Sequence, residues 1–96
     1  MVQTKRRAEV NLLRAVGDQW KKWSKYGLVD PRTHLPTNNT ETVCHGRGKR
    51  HRGHRYHRFV CVIRPHVHHG RQGVWVSYRA FAKKHYRVRI LAFHRW

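Results

Sequence analysis

After Glu41 the sequence contains no aspartate and no glutamate. Residues 42–96 hold fourteen lysines and arginines and nine histidines, so this stretch carries +14 of the chain's +18 formal charge. All four acids, Glu9, Asp18, Asp30 and Glu41, lie at or before position 41. A compact segment of one sign repels itself, and it contains no carboxylate to relieve that repulsion. The same absence argues against catalysis. Hydrolases and nucleases ordinarily use a carboxylate to orient a histidine or to hold a divalent cation, and the four upstream acids recur in no acid/base or metal-binding spacing. No enzymatic activity is expected.

Other scarcities narrow the class further. There are two cysteines, Cys44 and Cys61, which make neither a secreted disulfide framework nor a close thiol pair. They read as small packed apolar groups in a reducing compartment. Cys44, His45, Cys61, His66, His68 and His69 have the donor chemistry of a tetrahedral site, but they lack the tight cysteine pair that structural zinc usually takes. No metal and no cofactor is expected. No apolar run exceeds five residues, against the ~20 needed to span a bilayer, so membrane insertion is not expected. Residues 1–8 are basic and acid-free and lead into an amphipathic pattern, which partly resembles an organelle-targeting segment; Glu9 and Asp18 depart from that pattern.

What is present suffices for a small fold. The chain has 96 residues, 39% of them apolar, with four tryptophans, four tyrosines and three phenylalanines. That content predicts one small domain with a modest core and basic arms rather than a disordered polycation. Between residues 8 and 26, Leu12, Leu13, Val16, Trp20 and Trp23 recur at three- and four-residue spacing and define one face of an amphipathic helix. Leu13, Val16, Trp20 and Trp23 are its candidate core or protein-interface residues. Arg14, Lys21, Lys22 and Lys25 fall on the basic side. Gly27 is placed to end the helix in a left-handed cap, with Leu28 folding back on Trp23. Residues 27–42, with two prolines and a polar cluster, read as a loop, and residues 43–58 as a basic glycine, histidine and arginine arm.

Residues 59–63 and 74–78 are β-branched and aromatic runs that read as an antiparallel hairpin with a long basic-histidine tip. From His85 onward, Tyr86, Val88 and Ile90 alternate with Arg87 and Arg89, which predicts a third strand; a helix over residues 78–93 is the competing reading. The expected fold class is α+β: an N-terminal amphipathic helix, a long loop and basic arm, then a small antiparallel sheet of two or three strands with extended RNA-threading segments.

Within residues 47–58 a His-Arg-X triplet repeats three times, from His51, His54 and His57. In a polyproline-like backbone, rising ~3.1 Å per residue with three residues per turn, Arg52, Arg55 and Arg58 would line one edge about 9 Å apart. Gly46, Gly48 and Gly53 would let that backbone approach a nucleic acid, and Tyr56 would offer a ring for a base. The candidate RNA-binding residues are therefore Arg47, Lys49, Arg50, Arg52, Arg55, Tyr56 and Arg58 in the arm, with Arg71, Arg79, Lys83, Lys84, Arg87 and Arg89 beyond it. Arginine outnumbers lysine fifteen to seven, and its planar fork docks phosphate and stacks on bases as an ammonium does not. No recognition-helix, RNP, KH or zinc-finger pattern occurs, so contacts to phosphate and shape are expected, with RNA preferred over DNA.

In its triplets over residues 51–58, its arginine-aromatic tail and the final His94, Arg95 and Trp96, the chain resembles small ribosomal proteins, and more narrowly those of mitochondrial ribosomes. The resemblance implies a structural role in binding and stabilising ribosomal RNA, with neighbouring ribosomal proteins as partners, in the mitochondrial matrix or alternatively the cytoplasm. A viral or chromatin-type nucleic acid packaging protein is the rival reading.

Overall fold

The computed structural model describes residues 2–37, 39–65, 72–82 and 85–95. Strand β1 (Gln3–Thr4) leads into helix α1 (Lys5–Asp18), followed by the short helix α2 (Trp20–Trp23) and a 3-10 turn (Ser24–Tyr26). Strands β2 (Glu41–Arg47), β3 (Arg55–Tyr56), β4 (Arg58–Arg64), β5 (Gly73–Ala80) and β6 (Tyr86–His94) complete the order. Strands β2, β4, β5 and β6 form a four-stranded antiparallel sheet in that order, and β1 pairs with β3 in a separate two-stranded one. The α+β class holds. The sheet is larger than the two or three strands expected, because β2 forms from residues read as the end of the loop and the start of the arm. Thr42, Val43 and Cys44 have the side chains of a strand, and β4 supplies the partner that a local reading does not see.

The helix begins where Thr4 caps it, its hydroxyl accepting from the Arg7 N–H at 3.2 Å. It does not run unbroken to Tyr26 as its spacing predicts. The chain leaves helical geometry at Gln19 (φ −106°, ψ 44°), then resumes for one turn, so Trp20 and Trp23 sit on a separate short segment. Gly27 closes this region in the left-handed conformation (φ 74°), as expected, with Leu28 and Trp23 both buried in the core. The buried stripe of α1 is Ala8, Asn11, Leu12, Ala15 and Val16; Leu13 is only half-buried, one position off the stripe.

That stripe packs on one face of the sheet, against Cys44, Phe59, Cys61, Ile63, Val74, Val76, Tyr78 and Ala80. Along β5 the burial alternates, with Val74, Val76, Tyr78 and Ala80 turned to the helix and Trp75, Ser77 and Arg79 turned away. Cys44 and Cys61 are directly opposed on β2 and β4 and are joined by a disulfide. The expectation of two separate thiols is therefore corrected. The spacing of seventeen in sequence is the length of a hairpin whose two strands meet at that register.

Two polar ties fasten helix to sheet. The Glu9 carboxylate accepts from the Cys44 N–H at 2.9 Å, and the Thr42 hydroxyl donates to the Glu9 carbonyl at 2.8 Å, which occupies part of the outer edge of β2. Deeper in, the Asn11 amide donates to the Tyr78 hydroxyl at 3.0 Å, and that hydroxyl donates to Gln3 Oε1 at 2.7 Å.

Candidate nucleic-acid interface

The helix covers one face of the sheet, and no described element covers the other. The register fixes what that second face presents. Arg47 lies opposite Arg58, Arg58 opposite Arg79, and Arg79 opposite Arg87, so one arginine from each of the four strands stands in a single row across the sheet. All four are exposed. With strands ~4.8 Å apart, the row spans about 14 Å. Directly opposed like charges destabilise a sheet, and here three such pairs are consecutive.

The face is graded along the strand direction. About 7 Å from the arginine row, two residues along each strand, stands a mixed row of His45, Val60, Ser77 and Arg89. Next come Val43, Val62, Trp75 and Ala92, an apolar row in which Val62 is buried and the other three are half-buried. At the far end Glu41 opposes Arg64 and pairs with it at 3.1 Å. The one carboxylate on this face is thus about 20 Å from the arginine row, six residues along β2. A shallow depression of about 480 Å³ follows the arginine row and the mixed row, lined by Arg47, Arg58, Val60, Ser77, Arg79 and Arg89 among others.

At the β5–β6 end of the row Phe81 is 47% exposed, with the Arg79 and Arg87 guanidinium carbons 5.2 and 5.6 Å from its ring centroid. The ring face holds both guanidinium groups by cation–π attraction, which orients them without neutralising them. Of the other three acids, Glu9 is engaged on the β2 backbone, Asp30 accepts from the Arg32 N–H at 2.7 Å, and Asp18 lies exposed at the end of α1.

The basic arm departs from the expected polyproline-like edge. Gly53 and His54 both take positive φ (76° and 54°), and His51 bridges to Arg55, so the triplet repeat closes into a tight turn. Arg52 and Arg55 flank that reversal, Arg55 is registered with Thr4 across the β1–β3 pair, and Arg58 belongs to the open sheet face. The three do not share an edge. Lys49, Arg50, Arg52 and Arg55 are exposed around the turn. Tyr56 is turned inward, partly buried and edge-on to Phe59 at 5.8 Å, so its ring is core rather than a base platform. Gly46 is there for that ring: a Cβ at Gly46 would lie 2.3 Å from it, which corrects the reading of this glycine as a backbone approach.

Of the other candidates, Arg71, Lys83 and Lys84 lie outside the described residues, as do His66, His68 and His69. Trp23 is buried, while Trp20 is half-buried and stacked on His34 at 4.3 Å. Among the described residues no cluster of three or more His, Cys, Asp or Glu side chains is arranged to hold a metal ion. The candidate list contains Arg47, Arg58, Arg79, Arg87 and Arg89, which the register brings onto one face, but it omits His45, Val60, Ser77 and Trp75, which share that face. The period-two alternation of β4 and β5 was the signal that could have found Val60, Ser77 and Trp75; His45 lies on β2, which carries no such signal. Comparison of the chain with protein families, curated proteins and solved structures finds no match.

Proposed function

We propose that this chain is a non-catalytic RNA-binding protein that neutralises phosphates with the open face of its sheet and the adjoining arm. The arginine row carries the reading. Four exposed guanidinium groups stand side by side with no carboxylate in the row, an arrangement that costs the free protein stability and suits a ligand of closely spaced negative charge. Arginine pairs bidentately with phosphate oxygens, and Phe81 holds two of the forks in place. The test is a salt titration of binding to RNA. Five arginine contacts predict a log-log slope of about −3 to −4, more negative where the arm also engages. A slope near −1 would sink the multi-phosphate reading.

The proposed setting is a ribosome, with ribosomal RNA as the polyanion and ribosomal proteins as neighbours, in the mitochondrial matrix or alternatively the cytoplasm. The Cys44–Cys61 bridge favours a second setting, because both of those compartments keep thiols reduced and a persistent disulfide belongs to an oxidising one. Crosslinking and RNA sequencing from intact cells, with alkylation of free thiols at lysis, separates the two. Recovery of ribosomal RNA with alkylated Cys44 and Cys61 supports the ribosome. Recovery of other nucleic acid with the cysteines still bridged removes the ribosomal setting and keeps the binding chemistry. Sedimentation as self-assembled particles would instead favour a packaging protein.

A further inference from the structure

The arginine row stands at one end of the strands, and its side chains lean past that end. The Arg58 guanidinium reaches the turn after β2, where a Cβ at Gly48 would lie 3.2 Å from it, and Arg79 and Arg87 hold to Phe81, one residue beyond β5. These three forks therefore point off the sheet, away from its apolar row. Past the strand ends a second depression, of about 450 Å³, is lined by His57, Arg58, Arg79, Ala80 and Phe81.

The same end carries the start of the helical layer. Strand β1 pairs with β3 so that Thr4 lies opposite Arg55, and the Gln3 amide donates to the Ala82 carbonyl at 3.3 Å, one residue past Phe81. Lys5, Arg6 and Arg7 follow directly, and all three are exposed. Together with Arg55 and the row, eight exposed cations drawn from both layers gather at this end. Among the described residues none of the eight pairs with an aspartate or glutamate side chain. Apart from Glu9, whose carboxylate is taken up by the β2 backbone, the acids lie toward the other end. Glu41 opens β2, six residues from Arg47; Asp18 closes α1, about 20 Å from Lys5 at ~1.5 Å per residue; Asp30 belongs to the loop whose His34 stacks on Trp20. Charge segregated in this way draws a polyanion to one end of the molecule.

We propose that RNA is held end-on, its backbone running from the arginine row past Arg55 and onto Lys5, Arg6 and Arg7 of α1. The inference rests on the phosphate-binding reading above and adds a binding site on the helical layer, outside both the open face and the acid-free stretch of sequence. On this path α1 has two parts: its buried stripe closes the core, and its first turn continues the phosphate track.

The experiment uses the full chain with its disulfide intact and a labelled short oligouridylate. Arg6→Gln with Arg7→Gln should weaken binding and flatten the log-log salt slope by about 1.4, two contacts at ~0.7 each. Lys21→Gln with Lys25→Gln removes the same charge from exposed positions toward the other end and should leave the slope unchanged. Amine acetylation of the unaltered protein needs no variant: bound oligouridylate should protect Lys5 together with Lys49 of the arm, and leave Lys21 and Lys25 reactive. Protection of Lys49 with Lys5 still reactive, or equal slope changes from the two variant pairs, would overturn the inference while leaving phosphate binding in place. No binding of the oligouridylate would remove the underlying reading as well.

Discussion

Tyr78 locks the helix to the sheet through a single oxygen atom. Its hydroxyl takes a hydrogen bond from Asn11 and gives one to Gln3, and its ring stacks on that of Tyr86 at 5.1 Å. Tyr78→Phe leaves a buried amide donor and a buried carbonyl without their partner, which costs about 1–3 kcal/mol; the expected result is a lower denaturant midpoint at unchanged m-value. Burial pushes the Tyr78 phenol above its ordinary value of 10.0, and burial together with the nearby Asp18 charge does the same for Tyr86. The folded chain therefore keeps these protons to higher pH than the unfolded chain does. Their contribution is complete below pH 10 and is lost as pH rises through the raised values, so unfolding monitored across that range should show stability falling, with a shallower fall in Tyr78→Phe. None of this was legible locally. The alternation of residues 74–78 reveals a strand, but the partners of Tyr78 lie 67 and 75 positions away, where Asn11 and Gln3 read as ordinary polar residues of a helix and its approach.

The element that departs furthest from its sequence reading is β2. Strands β4, β5 and β6 announce themselves through β-branched content and period-two alternation, and the glycine stop after Tyr26 is plain. In contrast, β2 opens with Glu41 and closes with Gly46 and Arg47, a composition shared with the basic arm that follows, and its strand character depends on β4 lying alongside. The break at Gln19 was equally hidden, since Trp20 and Trp23 keep helical spacing with Val16 while the backbone between them turns. The disulfide fastens β2 to the sheet and closes a loop of sixteen intervening residues. Replacing both cysteines, Cys44→Ala with Cys61→Ala, should lower unfolding stability by about 3 kcal/mol in oxidising buffer. Reductant should lower the unaltered protein by a similar amount and leave the double variant unchanged.

Across the whole molecule, the arginine row is a property of topology. Arg47, Arg58, Arg79 and Arg87 are scattered through forty-one positions of sequence, and only the registers of three antiparallel pairings put them side by side. Composition made the excess of positive charge legible; the surface that gathers it was not, because a count of charges carries no direction. Under the proposed function the same row sets phosphate binding against folding. Arg58→Gln with Arg79→Gln removes the central pair of like charges and should raise the midpoint of thermal unfolding at low salt, by an amount equivalent to about 0.2–1 kcal/mol, while weakening RNA binding. Added salt should erase the thermal difference by screening the charges that cause it. A variant that lost both stability and binding would mean that these arginines support the fold itself.

The position of the bridge also determines what a protease does to this molecule. Cys44 and Cys61 bracket the turn that displays Lys49, Arg50, Arg52 and Arg55 to solvent. Brief trypsin treatment should cut there first, yet the two halves would stay covalently joined and migrate as one species until a reductant is added. Nicked chains that retain the four-strand row would separate the contribution of the arm from that of the sheet without a single substitution.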